Sequence, residues 1–239
     1  MNGSEKRTTA NKQTRGQGRT PDFPRLLGER LCLHFVNTVE APATDHPADF
    51  LPGYADLVRW SWHADTLPRE AVDPLLRAAA ARPAEAAAVL SRARALRAAC
   101  DGVFRAVAGA RTPAARDLAA IHVEYVTALG HARLAPANGG FAWTWPAAPD
   151  TTGSADAIES ADVLDGPLWP VARSAVELLT DADLRRVKEC PGAGDCGWLF
   201  YDTSRSRTRQ WCSMEGCGSR LKMRRHHARH GSRPRPPRG

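Results

Sequence analysis

Four cysteines, Cys190, Cys196, Cys212 and Cys217, constrain this chain more than any other feature. Thiols this dense fit the closed tetrahedral shell that zinc prefers, which needs only a short segment to supply all its ligands. The spacing is Cys-x5-Cys-x15-Cys-x4-Cys, wider than the common Cys-x2-Cys knuckle. Gly192, Gly194 and Gly197 lie in the first turn and Gly216 and Gly218 in the second, where flexible backbone lets the chain fold round an ion. Four thiolates leave no open position, so the expected ion is a single structural Zn2+ rather than a catalytic one. The competing reading is four unrelated core cysteines. A segment this short cannot bury a large core, so zinc binding, about 10 to 16 kcal/mol in finger peptides, would supply much of its folding free energy.

Charge divides the chain. Residues 1–25 hold six Lys/Arg and two acids, residues 26–202 sixteen and twenty-three, and residues 203–239 eleven and one. Basic ends on an acidic middle suggest a polyanion-binding end on a body that does not bind polyanions. A solubilising tail is the plainer alternative. No apolar stretch is long enough to span a bilayer and none near the start resembles a secretory signal, so the expectation is a cytoplasmic, nucleoid-associated protein with no membrane partner. In a reducing compartment clustered cysteines read as metal ligands, and the isolated Cys32 and Cys100 as buried thiols.

Residues 1–24 lack hydrophobic periodicity and are expected to form a disordered basic tail. Residues 25–183 read as a helical domain. Val89, Ala93, Leu96, Cys100, Val103, Phe104 and Val107 keep a step of three or four through alanine-rich sequence. Pro113 opens a second stripe through Leu118, Ile121, His122, Tyr125 and Leu129, and a third runs from Leu168 to Leu179. Between them Leu134–Ala137 and Phe141–Trp145 flank Asn138-Gly139-Gly140, a hairpin signal, and residues 146–156 read as a loop. After a boundary near residue 183, residues 184–230 read as the zinc finger, with a short hairpin and a basic helix, and residues 231–239 as a flexible Arg/Pro tail. The fold class is mainly α.

Placing residues 214–230 on one helix at about 100° per residue puts Met214, Cys217 and Leu221 in a wedge facing the metal and a small core of Trp198, Phe200 and Trp211. Arg220, Arg224 and His227 line one flank of that wedge, Lys222, Arg225 and Arg229 the other, and Ser219, Met223, His226 and His230 point away. Two basic rows beside a weakly polar face suit a helix in the major groove of double-stranded DNA. On this reading Arg220, Lys222, Arg224, Arg225 and Arg229 grip phosphates, Arg205, Arg207 and Arg209 add contacts from the preceding loop, and Ser219 and His226 read bases. A zinc-stabilised protein-interaction adaptor is the alternative, with RNA binding a lesser one, and His226 with His230 as a second metal pair lesser still.

The stretch Trp211-Cys212-Ser213-Met214-Glu215-Gly216-Cys217-Gly218-Ser219-Arg220-Leu221-Lys222, preceded by Phe200-Tyr201-Asp202-Thr203-Ser204-Arg205, resembles the CGNR zinc finger found at the C-terminus of bacterial proteins regarded as transcription regulators. The signature tetrapeptide stands here as Cys217-Gly218-Ser219-Arg220, with serine where the family usually has asparagine. Leu31-Cys32-Leu33-His34-Phe35-Val36-Asn37-Thr38-Val39 and Tyr54-Ala55-Asp56-Leu57-Val58-Arg59-Trp60 resemble the helical ABATE domain that accompanies this finger, with His34 where an acidic residue is common. The resemblance implies a stress-related regulator whose N-terminal domain is a candidate sensor or interaction domain. We expect coupling, in which an unidentified effector or protein partner of that domain changes the finger's orientation or dimer state, a homodimer being one candidate assembly.

No enzymatic constellation emerges. His34, His46, His63, His122 and His131 are scattered without a paired carboxylate or nucleophile motif, and no Gly-rich phosphate loop is present. His122 on its apolar stripe reads as a hydrogen-bonded core histidine and His34 as packing. Asn37-Thr38 suits either a ligand or local capping. Trp60 and Trp62 suit packing or a pocket wall. The expectation is a DNA-binding regulator and not an enzyme.

Overall fold

A computed structural model describes residues 23–40, 48–137, 139–145, 164–192 and 196–230, with the side chains of Glu40, Arg225, Arg229 and His230 left out. The expected N-terminal tail, the 146–156 loop and the Arg/Pro tail therefore lie outside the described residues, apart from Phe23 and Pro24. The chain is mainly helical, with small hairpins. In order it forms α1 Leu31–Val36, β1 Val39–Glu40, β2 Ala48–Asp49, α2 Tyr54–His63, α3 Arg69–Ala81, α4 Pro83–Ala108, α5 Ala115–His131, β3 Arg133–Ala137, β4 Gly140–Thr144, α6 Trp169–Asp181, β5 Val187–Glu189, β6 Leu199–Tyr201 and α7 Ser219–His230.

The alanine-rich stretch becomes the long axial helix α4. Pro83 starts it, where a missing N–H costs nothing, and Gly109 caps its C-terminus. Its buried stripe through Val89, Ala93, Leu96, Cys100, Val103 and Phe104 is the one the periodicity predicts. Around it pack α1, α2, α3, α5 and β5, and α6 lies against α1 and α5. Cys32 and Cys100 sit fully buried in this core. Burial pushes the Cys32 thiol up to about 12 and that of Cys100 well above its ordinary value, so both stay neutral.

Helix α5 departs from its predicted stripe. Ile121 and Ala128 are its buried residues, whereas Leu118, His122 and Leu129 are exposed. α5 meets α4 and α6 through Ile121, Tyr125 and Ala128, which leaves the Leu118–Leu129 row outward.

The C-terminal hairpin is built into the large core rather than appended to it. β5 pairs antiparallel with β6, Val187 opposite Tyr201 and Glu189 opposite Leu199. Strand alternation then sends Leu199 and Tyr201 into the helical core and Phe200 to the other side, among the cysteines. Asn37, at the end of α1, completes the join. Its side chain donates to the Leu199 carbonyl at 2.8 Å and accepts from the Leu199 amide at 3.0 Å, so it pairs with the backbone as a third strand would.

Candidate metal centre and basic helix

Two backbone bonds bring Cys190 beside the segment that follows Cys196, with Cys190 N–H donating to the Trp198 carbonyl and Gly197 N–H to the Cys190 carbonyl. Gly192 carries φ +50°, and a Cβ there would lie 2.6 Å from the Cys196 Cβ. We expect Gly192→Ala to weaken zinc about tenfold, the cost of a left-handed alanine plus that clash, read by competition with a chromophoric chelator. Cys212 precedes and Cys217 lies within a π-helical turn, Met214–Gly218, which the Ser213 hydroxyl caps by accepting the Gly216 amide at 3.1 Å.

The four sulfurs all lie within 4.8 Å of one another. Cys196 to Cys212 and Cys212 to Cys217 are each 3.7 Å apart. Zn–S bonds of about 2.3 Å in a tetrahedron require sulfurs about 3.8 Å apart, so this geometry fits a metal. It does not fit a disulfide, whose sulfurs are about 2 Å apart, and all six cysteines are free. Electrostatics agree. Hydrogen bonds from Cys196 and Cys212 pull the Cys190 thiol down to about 2, while the bond to Cys190 pushes Cys196 up to about 12 and raises Cys212 as well. Unaided, the cluster thus favours a thiolate at Cys190 and resists ionisation of Cys196 and Cys212. A dication supplies the charge that lets all four ionise.

Phe200, Trp198, Trp211 and Leu27 wall the centre. Arg209 closes it. Its guanidinium lies 4.9 Å over the Phe200 ring, donates to the carbonyls of Trp211 and Cys212, and pairs with Glu29 at 2.8 Å. It sets a positive charge beside a centre that carries about −2 when four thiolates hold a dication. Arg209, which the sequence groups with the phosphate contacts, thus has its guanidinium engaged within the fold.

Asp202, which the sequence reading passed over, organises the basic loop. It is completely buried, accepts from Lys188 Nζ at 2.6 Å, from Ser204 through its amide at 2.9 Å, and from the Arg209 amide at 3.1 Å. Lys188 Nζ also donates to the carbonyls of Arg207 and Arg209. Burial alone would raise the Asp202 carboxyl, but the Lys188 ammonium and the Ser204 donors outweigh it and hold it at about 2. The signal was an acid standing directly before a run of arginines. Of those, Arg205 is exposed, and Arg207 pairs with Asp183 at 3.2 Å while half exposed.

α7 follows the π turn, and the underwound start breaks the single-helix wedge. Cys217 is buried and Leu221 half-buried as expected, but Met214 is 56% exposed. Ser219 is exposed and its hydroxyl donates to the Met214 carbonyl at 3.0 Å, closing the π turn. Arg220, Lys222, Arg224 and His226 are exposed, and the side chains of Arg225, Arg229 and His230 lie outside the described residues. His226 stands edge-on to His227 at 6.0 Å.

A family profile described as a putative stress-induced transcription regulator, ABATE, matches residues 29–182. The chain belongs to the ABATE family. The CGNR zinc finger matches residues 186–230, directly after it and in the order the sequence suggests. No curated protein matches the chain. In this ABATE protein the join between the two matched regions is dense. Arg105 on α4 donates to the Gly197 carbonyl at 2.9 Å and meets Glu189 at 2.7 Å, Trp198 Nε1 donates to the Val39 carbonyl, and the Tyr201 amide donates to the Gly28 carbonyl. His34, expected as simple packing, has a polar task. Its Nδ1 accepts the Gly28 amide at 3.0 Å, and burial pulls the imidazole down to about 4, which keeps it neutral. Among the other scattered positions, Trp60 is core, Trp62 lies half exposed under Arg69, and His46 is outside the described residues. No helix among the described residues is long and apolar enough to cross a membrane.

Proposed function

We propose that this ABATE protein is a DNA-binding transcription regulator in the cytoplasm, working without a catalytic step, whose α7 enters the major groove. One observation carries the reading. α7 has twelve residues, and every described side chain from Lys222 to Ala228 is exposed. A helix that short is marginal in water and gains little by burying only Leu221, so its surface is shaped for a partner. After Glu215 the sequence to residue 230 carries five cations and no acid, which selects a polyanion.

Arg220, Lys222, Arg224, Arg225 and Arg229 supply affinity, with Arg205 and Arg207 from the loop. Ser219 spends its proton on Met214, which leaves its oxygen as an acceptor toward base amino groups, the N4 of cytosine or the N6 of adenine. Neutralising about five phosphates with the α7 cations alone gives a slope near −4.5 for log affinity against log salt, and the loop arginines steepen it. Fragment selection from genomic DNA with zinc retained should enrich a motif, and Arg220→Gln or Lys222→Gln should each reduce the salt slope by about 1. A flat salt response with no enriched motif removes the DNA reading.

Met223, 62% exposed on α7, favours the second reading, a protein-interaction adaptor. Loss of a partner protein on Met223→Glu with DNA affinity untouched would select it. The helical domain is the proposed sensor of an effector or protein partner. Leu199 and Tyr201 share its core, so a shift of α1 or α4 moves the finger's hairpin directly.

A further inference from the structure

The outward face of α5 carries Leu118, Val123, Val126 and Leu129, all exposed, Val123 at 60%. It carries no charge between Leu118 and Gly130, because Glu124 turns aside to Arg92 at 2.7 Å. The β3–β4 hairpin follows α5 directly in the chain. Its base is pinned to α5 by Trp145 Nε1 donating to the Ala128 carbonyl at 2.7 Å. Leu134 pairs with Trp143 and Pro136 with Phe141, so strand alternation gathers four apolar side chains on one side, with Phe141 73% exposed. A lone two-stranded hairpin is marginal in water, and an apolar outer face makes it more so. Beside the α5 stripe runs a groove of about 400 Å³ between α4 and α5, walled by Ala95, Leu96, Ala119, Ala120 and Val123 and rimmed by Arg116 and the Arg92–Glu124 pair.

We propose that this face joins two copies of the chain, α5 against α5 and antiparallel, in a closed two-fold dimer. The surface is complementary to itself. Turning α5 end for end about Glu124 sets Leu118 against Gly130, Ala119 against Leu129, and His122 against Val126, large against small at the outer levels. Gly130, next to last in α5, fits no packing requirement inside the chain, since a Cβ there meets nothing within 4 Å, and its missing side chain leaves room for a second helix. The same chain also carries both an aromatic knob, Phe141 or Trp143, and a groove wide enough for a ring, the pairing that dominates interface energetics. The exposed apolar side chains of α5 and the hairpin amount to about 700 Å², near the roughly 800 Å² per partner of a stable interface. The α5 stripe itself offers no cation to a phosphate, so it does not suit a nucleic acid.

Sedimentation equilibrium of the full-length zinc-loaded protein, without DNA, should give twice 25.9 kDa at micromolar concentration. Val126→Glu should weaken association at least 100-fold and Phe141→Ser about tenfold, with helicity and zinc content unchanged; Phe141 lies outside the core, so it decides if Val126→Glu fails to fold. A monomeric wild type, open-ended oligomers, uptake into neutral phosphatidylcholine vesicles in place of dimerisation, or unchanged association in the variant that folds would each overturn the dimer. None of these readouts involves DNA, so the DNA reading stands or falls separately.

Discussion

Extraction of the metal at pH 7 is expected to unfold the C-terminal module and to lower the melting temperature of the whole chain. Elemental analysis of the intact protein should find one zinc per chain, and a chelator should expose four thiols to alkylation while Cys32 and Cys100 stay protected in the helical core. The metal's apparent contribution, about 10 to 16 kcal/mol in small finger peptides, is partly offset here because the helical domain also holds the hairpin. Val187, Leu199 and Tyr201 lie in its core, and Asn37 pairs with Leu199. The same contacts spread the damage, since a hairpin released from the cysteines leaves part of that core uncovered. Acid should mimic chelation. Protons compete with zinc for thiolates, so affinity falls as pH falls. His34 adds in the same direction. Its folded value of about 4 lies below the ordinary imidazole, so the fold favours the neutral form, and that stability is lost as pH drops from about 6.5 through about 4. Recovery of metal-free protein with four reactive thiols and an unchanged melting curve would refute the zinc-centred account.

What the sequence made legible follows from how local each signal was. The cysteine quartet could be read from spacing because a tetrahedral site needs four ligands within one short segment, and the sulfurs do converge. α4 could be read because alanine content and a step of three or four act within one helix. α5 was misread on one side. Leu118 and Leu129 are as apolar as core residues, and nothing local distinguishes a stripe buried in the chain from one held for a partner. The π turn was invisible, since it is closed by hydrogen bonds of Ser213 and Ser219 beside the converging cysteines. Arg209 looked like its neighbours in a basic loop, and only tertiary placement against Phe200, Glu29 and the Cys212 carbonyl separates it from Arg205. Asn37 and Lys188 were illegible for the same reason, their partners lying 162 and 14 residues away.

Asp202→Ala should destabilise the protein by about 3 kcal/mol, the usual cost of breaking a buried ion pair, and lower the melting temperature by roughly 10 °C. The carboxylate joins β6, β5 and the basic loop through Lys188, Ser204 and the Arg209 amide. Without it Lys188 keeps only the two loop carbonyls, and the segment from Thr203 to Arg209 loses its anchor. Zinc affinity should fall as well, because Arg209 follows that anchor and contacts the Cys212 carbonyl. The pH window separates this group from the metal. Its carboxyl is held at about 2, below an unfolded value of about 3.9, so its stabilisation is complete above about pH 4 and disappears only as pH falls toward 2. Loss of structure between pH 6 and 4 therefore belongs to the thiolates and His34. Lys188→Met tests the pairing from the other side, since it leaves an uncompensated carboxylate in a fully buried position and should cost more than the Asp202 change. Combining the two should recover part of the loss, because the double variant buries neither charge alone. Strict additivity in that double-mutant cycle would mean that the 2.6 Å contact contributes nothing, and the loop would then owe its shape to the metal turn by itself.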